Sequence, residues 1–220
     1  MVAKIGSEAP NLEVSSWVQG KPTNIDKEKG NVVLVEVFQV NCPGCFLNGI
    51  PEAIGIHKKY KDKGLTVLGM ATAFEDFDKN NLQNLEKLVT TGEVVGETYR
   101  ALAQYGQLRD GNKLPYKIPF PVVMDLLKKE SDSPTESKIM DFVEANVPDF
   151  RSYSEKDRQV LIERVKQYMR SREYSAKTFE MYGLRGTPSS ILVDRKGMLR
   201  SKLFGSSGVL EGAIEELLKE

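Results

Sequence analysis

Cysteine is scarce in this chain, with two among 220 residues, and charge of either sign is not in surplus, since 31 Lys and Arg face 31 Asp and Glu. Two cysteines exclude the small secreted scaffolds that are held together by several disulfides. The neutral balance gives no net field for nucleic acid or an anionic membrane, and no basic stripe interleaved with aromatics is present, so neither is expected as a partner. No apolar run approaches the ~20 residues that span a bilayer, and "MVAKIGSEAPNL" lacks the apolar centre of a secretory signal. These absences predict a soluble, cytoplasmic protein. The length suits a single domain over 1–220 carrying one insertion.

What the chain does have is a patterned order of elements. "VVLVEVF", residues 32–38, is rich in β-branched residues, nearly continuous in apolarity and bounded by turn residues, which predicts a strand buried on both faces. From Cys42 the period changes to helical, with Phe46, Ile50, Ile54 and His57 on one face and Gly64 as the stop; Pro51 inside this helix is expected to kink it. "LTVLGMATA", residues 65–73, then reads as a second strand, so strand, helix and strand form a parallel βαβ unit. Leu82, Leu85, Leu88 and Val89 mark one covering helix, and Val94, Val95, Tyr99, Leu102 and Tyr105 a second. "IPFPVVMD", residues 118–125, predicts a third strand entered from a loop.

Residues 126–174 are more highly charged and read as a helical insertion. Ser133, Pro134 and Glu136 propose a capping box ahead of Ile139, Met140, Phe142 and Val143, and Ser154 with Asp157 starts another helix. Beyond the insertion, "SSILVD" (189–194), the turn "RKG" and "MLRSKLFG" predict a β-hairpin, followed by an amphipathic carboxy-terminal helix.

Both cysteines fall in Cys42-Pro43-Gly44-Cys45, where the buried strand gives way to the helix. A thiol at a helix amino terminus meets unpaired N–H groups and the helix dipole, both of which favour its thiolate. Cys42 is therefore expected to attack a partner disulfide, and Cys45, shielded one turn inside, to resolve the mixed disulfide. Glu36, six residues before Cys42 in a strand otherwise apolar, is expected to be buried, with a raised pKa suited to taking the proton of the resolving thiol.

The acidic residue six positions ahead of a Cys-x-x-Cys, together with "GSEAPNL", "PFPVVMD" and "YGLRGTPSSILVDRKGMLR", resembles the redoxin superfamily of thioredoxin-fold proteins, which includes TlpA-like thiol-disulfide reductases and AhpC/TSA peroxiredoxins. The resemblance covers most of 5–125 and 175–220 and implies an α/β thioredoxin-like fold: a central mixed sheet flanked by helices, with the insertion lying before the strand that follows the cis-proline. It also implies a cis bond at Thr187-Pro188, facing the cysteines and leaving the preceding backbone open to a partner peptide. Thr187, Pro188, Pro43, Gly44 and Asn41 make up the expected partner-binding set. Asn41 stands where tryptophan is common in the family, and Gly69 stands where a lysine often accompanies the acidic residue. The activity implied is thiol-disulfide exchange with protein disulfides or dithiols, sustained by an external thiol reductant and without a bound cofactor or metal.

A peroxiredoxin-like peroxidase resembling that family needs Pro-x-x-x-Thr/Ser-x-x-Cys, but counting back from Cys42 gives Gln39 and Val35 at those positions, and counting back from Cys45 gives Cys42 and Phe38. Arg185 is the guanidinium such a site would use. A metal site on Cys42, Cys45 and His57 requires His57 three to four helical turns away, too far at ~1.5 Å per residue. A purely structural cysteine pair leaves the strand-to-helix location without a reason.

Overall fold

Val32–Phe38 is buried at all seven positions, as its unbroken apolarity requires, and the rest of the chain is built around it. The computed structural model describes residues 2–130, 135–171, 173–205 and 208–220. In chain order the strands are β1 (Val14–Gln19), β2 (Val32–Phe38), β3 (Leu65–Ala71), β4 (Val122–Asp125), β5 (Leu127–Lys129), β6 (Tyr174–Ala176), β7 (Ser189–Val193) and β8 (Leu199–Phe204). The helices are α1 (Ile50–Tyr60), α2 (Leu82–Thr91), α3 (Gly96–Gln104), α4 (Glu136–Asn146), α5 (Glu155–Ser171), α6 (Lys177–Met181) and α7 (Leu210–Lys219).

Six strands form one mixed sheet in the order β1-β4-β3-β2-β7-β8. β2, β3 and β4 run parallel, while β1, β7 and β8 pair antiparallel with their neighbours. The predicted βαβ unit, third strand and hairpin are all present. β1, which periodicity did not single out, adds an antiparallel edge against β4.

Alternation along β2 sorts the core into two layers. Leu34 and Phe38 pack with Phe46, Ile50, Leu85, Leu102 and Ile214 on the face covered by α1, α2, α3 and α7. Val33, Val35 and Val37 pack on the opposite face with Leu12, Phe179, Tyr182 and Leu199. Glu36 belongs by register to the first face, which is the face of the cysteine-bearing helix.

The insertion is helical, as expected, and it carries a short stem of its own. β5 pairs antiparallel with β6, joining the ends of the excursion in a ladder that the sequence reading did not contain. Asp125, the last residue of β4, reinforces the closure from inside the core: its carboxylate accepts from Thr72 Oγ1 (2.8 Å), Thr178 N (2.9 Å) and Phe179 N (3.2 Å). α4 and α5 enclose a small cluster of Ile139, Val143 and Phe150. Thr135 caps α4, accepting from Lys138 N, whereas the expected box residues Ser133 and Pro134 lie outside the described residues. Ser154 caps α5 and hydrogen-bonds Asp157, as predicted. Among the described residues, no helix is long and apolar enough to cross a membrane.

Candidate active site

The helix after β2 begins at Pro43, a position where the missing N–H costs no intrahelical bond, so Cys42 stands at its amino end. The first full turn, Cys45–Gly49, is π-helical and passes directly into α1. This is the form the expected Pro51 disturbance takes. In the wide turn the Phe46 carbonyl would pair with residue 51, which has no N–H, and the Tyr116 hydroxyl donates to it instead at 3.1 Å.

Cys42 and Cys45 are joined as a disulfide, with Cα atoms 5.4 Å apart. Cys42 is partly exposed, and Cys45 is fully buried in the first core layer. The Cys45 N–H donates to Cys42 Sγ at 3.2 Å, the type of contact that favours charge on that sulfur when it is reduced. Cys42 Sγ also lies 3.6 Å from the Thr187 carbonyl oxygen, and the Thr187-Pro188 bond is cis. Pro43 and Gly44 are partly exposed beside this contact, with Gly44 facing Pro188. Five of the sequence-predicted residues, Cys42, Pro43, Gly44, Thr187 and Pro188, thus meet at one surface.

Glu36 lies beneath them and is 1% exposed. β2 register sets it beside Gly69 on β3 and Ser190 on β7, so neither neighbour offers it a cation. Ser190 Oγ donates to Glu36 Oε2 at 2.8 Å, and Oε1 has no hydrogen-bond partner among the described residues. Burial pushes the carboxyl up to about 8; the Ser190 hydrogen bond pulls it down and the Glu52 carboxylate adds to the rise. Gly49, on the π-turn four residues past Cys45, makes room for this group: a Cβ there would collide with Glu36 Oε1 and come within 2.7 Å of Pro188 Cβ.

A thiol-disulfide isomerase from Corynebacterium glutamicum matches with a TM-score of 0.59 at 25% identity, covering 98% of this chain and 97% of that one. A thioredoxin-like superfamily protein matches with a TM-score of 0.58 at 24% identity, covering 97% of each chain. The fold is thioredoxin-like. No family model matches the chain. Among curated proteins, DipZ of Mycobacterium bovis is 33% identical over 75 residues, and FixW of Rhizobium leguminosarum is 30% identical over 71. Each of these matches takes in 32% of this chain, but only 11% of DipZ and 31% of FixW.

In this thioredoxin-like protein, Asn41 departs from its expected place. It is 7% exposed, and its polar atoms are engaged within the chain rather than offered to a partner. The physical reason is the tight turn after β2, which points the short amide inward between two neighbouring segments. His57 lies along α1 with its ring edge-on to Phe120, 5.7 Å between centroids, apart from the cysteines. Arg185 is exposed two residues before Thr187. Gly49 and Ser190 were missed in the sequence. The only signal of Gly49 was a glycine inside a helical pattern, and Ser190 had none, because its role comes from a contact 154 residues distant in sequence.

Proposed function

We propose that the chain is a thiol-disulfide oxidoreductase that exchanges disulfides with protein or small-thiol partners through the Cys42-Pro43-Gly44-Cys45 dithiol. The observation that carries this reading is the disulfide placed at a helix amino end, one sulfur partly exposed against the Thr187 carbonyl and the other buried, with the buried Glu36 carboxyl facing Gly49 of the same helical turn. The Cys42 thiolate attacks one sulfur of a partner disulfide; that S–S bond breaks, a mixed disulfide forms and the first partner thiolate leaves. Cys45, losing its proton toward Glu36, then attacks Cys42 Sγ, which closes the internal disulfide and releases the second partner thiolate. Two electrons pass to the partner, and an external thiol returns them. A carboxyl titrating near 8 can take the Cys45 proton in this direction and return it in the reverse direction.

Thr187 and Pro188, with Pro43 and Gly44, form the surface on which the partner backbone is held in this reading. Support comes from the isomerase of similar fold and from the site itself. The test compares the reduced protein against insulin disulfide and against hydrogen peroxide. Rapid insulin reduction with peroxide oxidation no faster than that of a free thiol is the expected result. Oxidation by peroxide orders of magnitude faster than that of a free thiol overturns it in favour of a peroxidase.

A further inference from the structure

The residue before the reactive cysteine reaches neighbouring segments through its backbone N–H and both polar atoms of its side chain. The Asn41 backbone N–H donates to Asn80 Oδ1 at 2.7 Å. Its Nδ2 donates to Asp76 Oδ2 at 2.7 Å, and its Oδ1 accepts the Glu97 N–H at 2.6 Å. The last contact caps α3 from a distance, because the residue at the helix's own cap position is Val95, which has no side-chain acceptor. Gly96 has a φ of +58°, and a Cβ on it would collide with Asn41 Oδ1 and Lys79, so the backbone here is shaped around the amide. Neighbouring residues repeat the arrangement: Thr98 Oγ1 donates to Val40 O at 2.8 Å, and Gln39 Oε1 accepts from Phe74 N at 3.1 Å and Asn80 Nδ2 at 3.3 Å.

The 74–81 segment is itself anchored on its far side. Phe74 stacks on Phe179 with centroids 4.8 Å apart, and Phe77 meets Tyr174 of the insertion stem at 5.1 Å. Asp76 sits at a φ of +47°, a conformation its neighbours must hold in place. The turn carrying Cys42 is thus tied to a loop that is braced in turn against the base of the insertion.

We infer that Asn41 is a positioning residue for Cys42, holding the reactive turn through the Asp76 and Glu97 contacts at the distance from Thr187 and the Cys45 N–H that exchange requires. It acts through Cys42 and touches no partner. The inference rests on the oxidoreductase reading for its biological meaning, but its test reads Cys42 reactivity directly.

The experiment is an exchange of partners in the full chain, comparing Asn41→Asp, Asp76→Asn, the combined pair and Asn41→Ala. The second-order rate of iodoacetamide alkylation at reduced Cys42 is measured alongside the thermal midpoint and insulin reduction. Asn41→Asp sets two carboxylates against each other, and the rate should fall about tenfold or more, within the ~10²-fold that a displaced reacting group can cost. Asp76→Asn keeps an acceptor facing Asn41 and should change the rate by about twofold or less, near the scatter of independent substitutions. The combined pair restores one donor facing one carboxylate, keeps the Glu97 contact and should recover the rate to within about twofold of the parent. Asn41→Ala removes the clamp without adding charge and should be as slow as Asn41→Asp, so the inference stays testable if the latter fails to fold.

Recovery in the combined pair with unchanged thermal midpoints supports the inference. Unchanged alkylation in Asn41→Ala overturns it, as does a combined pair as slow as Asn41→Asp. A parent protein that alkylates readily at Cys42 but does not reduce insulin overturns the oxidoreductase reading alone and leaves the partner exchange to decide Asn41.

Discussion

The turn bearing Cys42 and the insertion between β4 and β7 are stabilised in contrasting ways. The Cys42 turn projects from a strand with no exposed residue, is held by Asn80, Asp76, Glu97 and Thr187, and lies above the layer that contains Phe38 and Phe46. The insertion packs a cluster of three buried residues and joins the sheet through the β5–β6 stem and the Asp125 carboxylate. The difference separates chemistry from accessory structure. Reactive groups sit where packing leaves them few alternative positions, and the excursion is attached at its ends, where its internal changes need not reach the sulfurs.

The largest effect that sharpens this contrast is on the cysteines themselves. Cys42→Ser should abolish disulfide exchange, whereas Cys45→Ser should accumulate mixed disulfides visible by mass spectrometry. Normal turnover by Cys45→Ser would reverse the assigned roles. Next come matched truncations in the two regions. Phe38→Ala should cost about 3–5 kcal/mol in urea unfolding, because the surrounding sheet cannot close the cavity. Phe150→Ala in the insertion cluster should fall at the low end, about 3 kcal/mol, and leave the exchange rate unchanged, because Ile139 and Val143 can settle around the loss. Equal costs, or a loss of exchange from Phe150→Ala, would break the comparison.

Gly49→Ala follows, at about 1–3 kcal/mol, the usual range for overpacking. Its methyl would press on Glu36 and Pro188 together, so unfolding and exchange should both suffer. The effect that is smallest at the acid end of its range, and grows as pH rises, belongs to Glu36→Gln. The folded chain keeps a proton on Glu36 that the unfolded chain gives up above 4.5, so this residue makes stability fall as pH rises from 4.5 through about 8. The limiting slope is ~1.4 kcal/mol per pH unit. Glu36→Gln should remove that slope in denaturation series across the window, and stopped-flow kinetics should show resolution slowed with the first attack spared. An unchanged slope would mean that the carboxyl ionises as freely in the fold as out of it.

The positions that were misread or missed share one property, namely that their roles depend on residues far away in the chain. Asn41 is expected in the partner-binding set beside the reactive motif, since the sequence gives no sign that segments 76–80 and 96–97 close over it. The fold is more legible than the site for the same reason. A strand and its covering helix announce themselves in a few neighbouring residues, whereas a desolvated carboxyl needs the sheet assembled around it. Gly49 shows the intermediate case, being visible as a helical glycine but intelligible only once Glu36 and Pro188 are seen against it.

By itself, the sequence determined the buried strand at 32–38, the dithiol where strand passes into helix, the βαβ unit, third strand and hairpin that follow, and the helical character of the insertion. These follow from local periodicity, caps and turn residues acting over a few positions. Only the tertiary structure decided that β1 edges the sheet, that β5 and β6 close the insertion, that Tyr116 takes the carbonyl freed by Pro51, and that Ser190 donates to Glu36. Each of those is a pairing of polar groups across long stretches of chain. Buried donors and acceptors must find partners wherever the fold brings them, and no local pattern records which partner that will be.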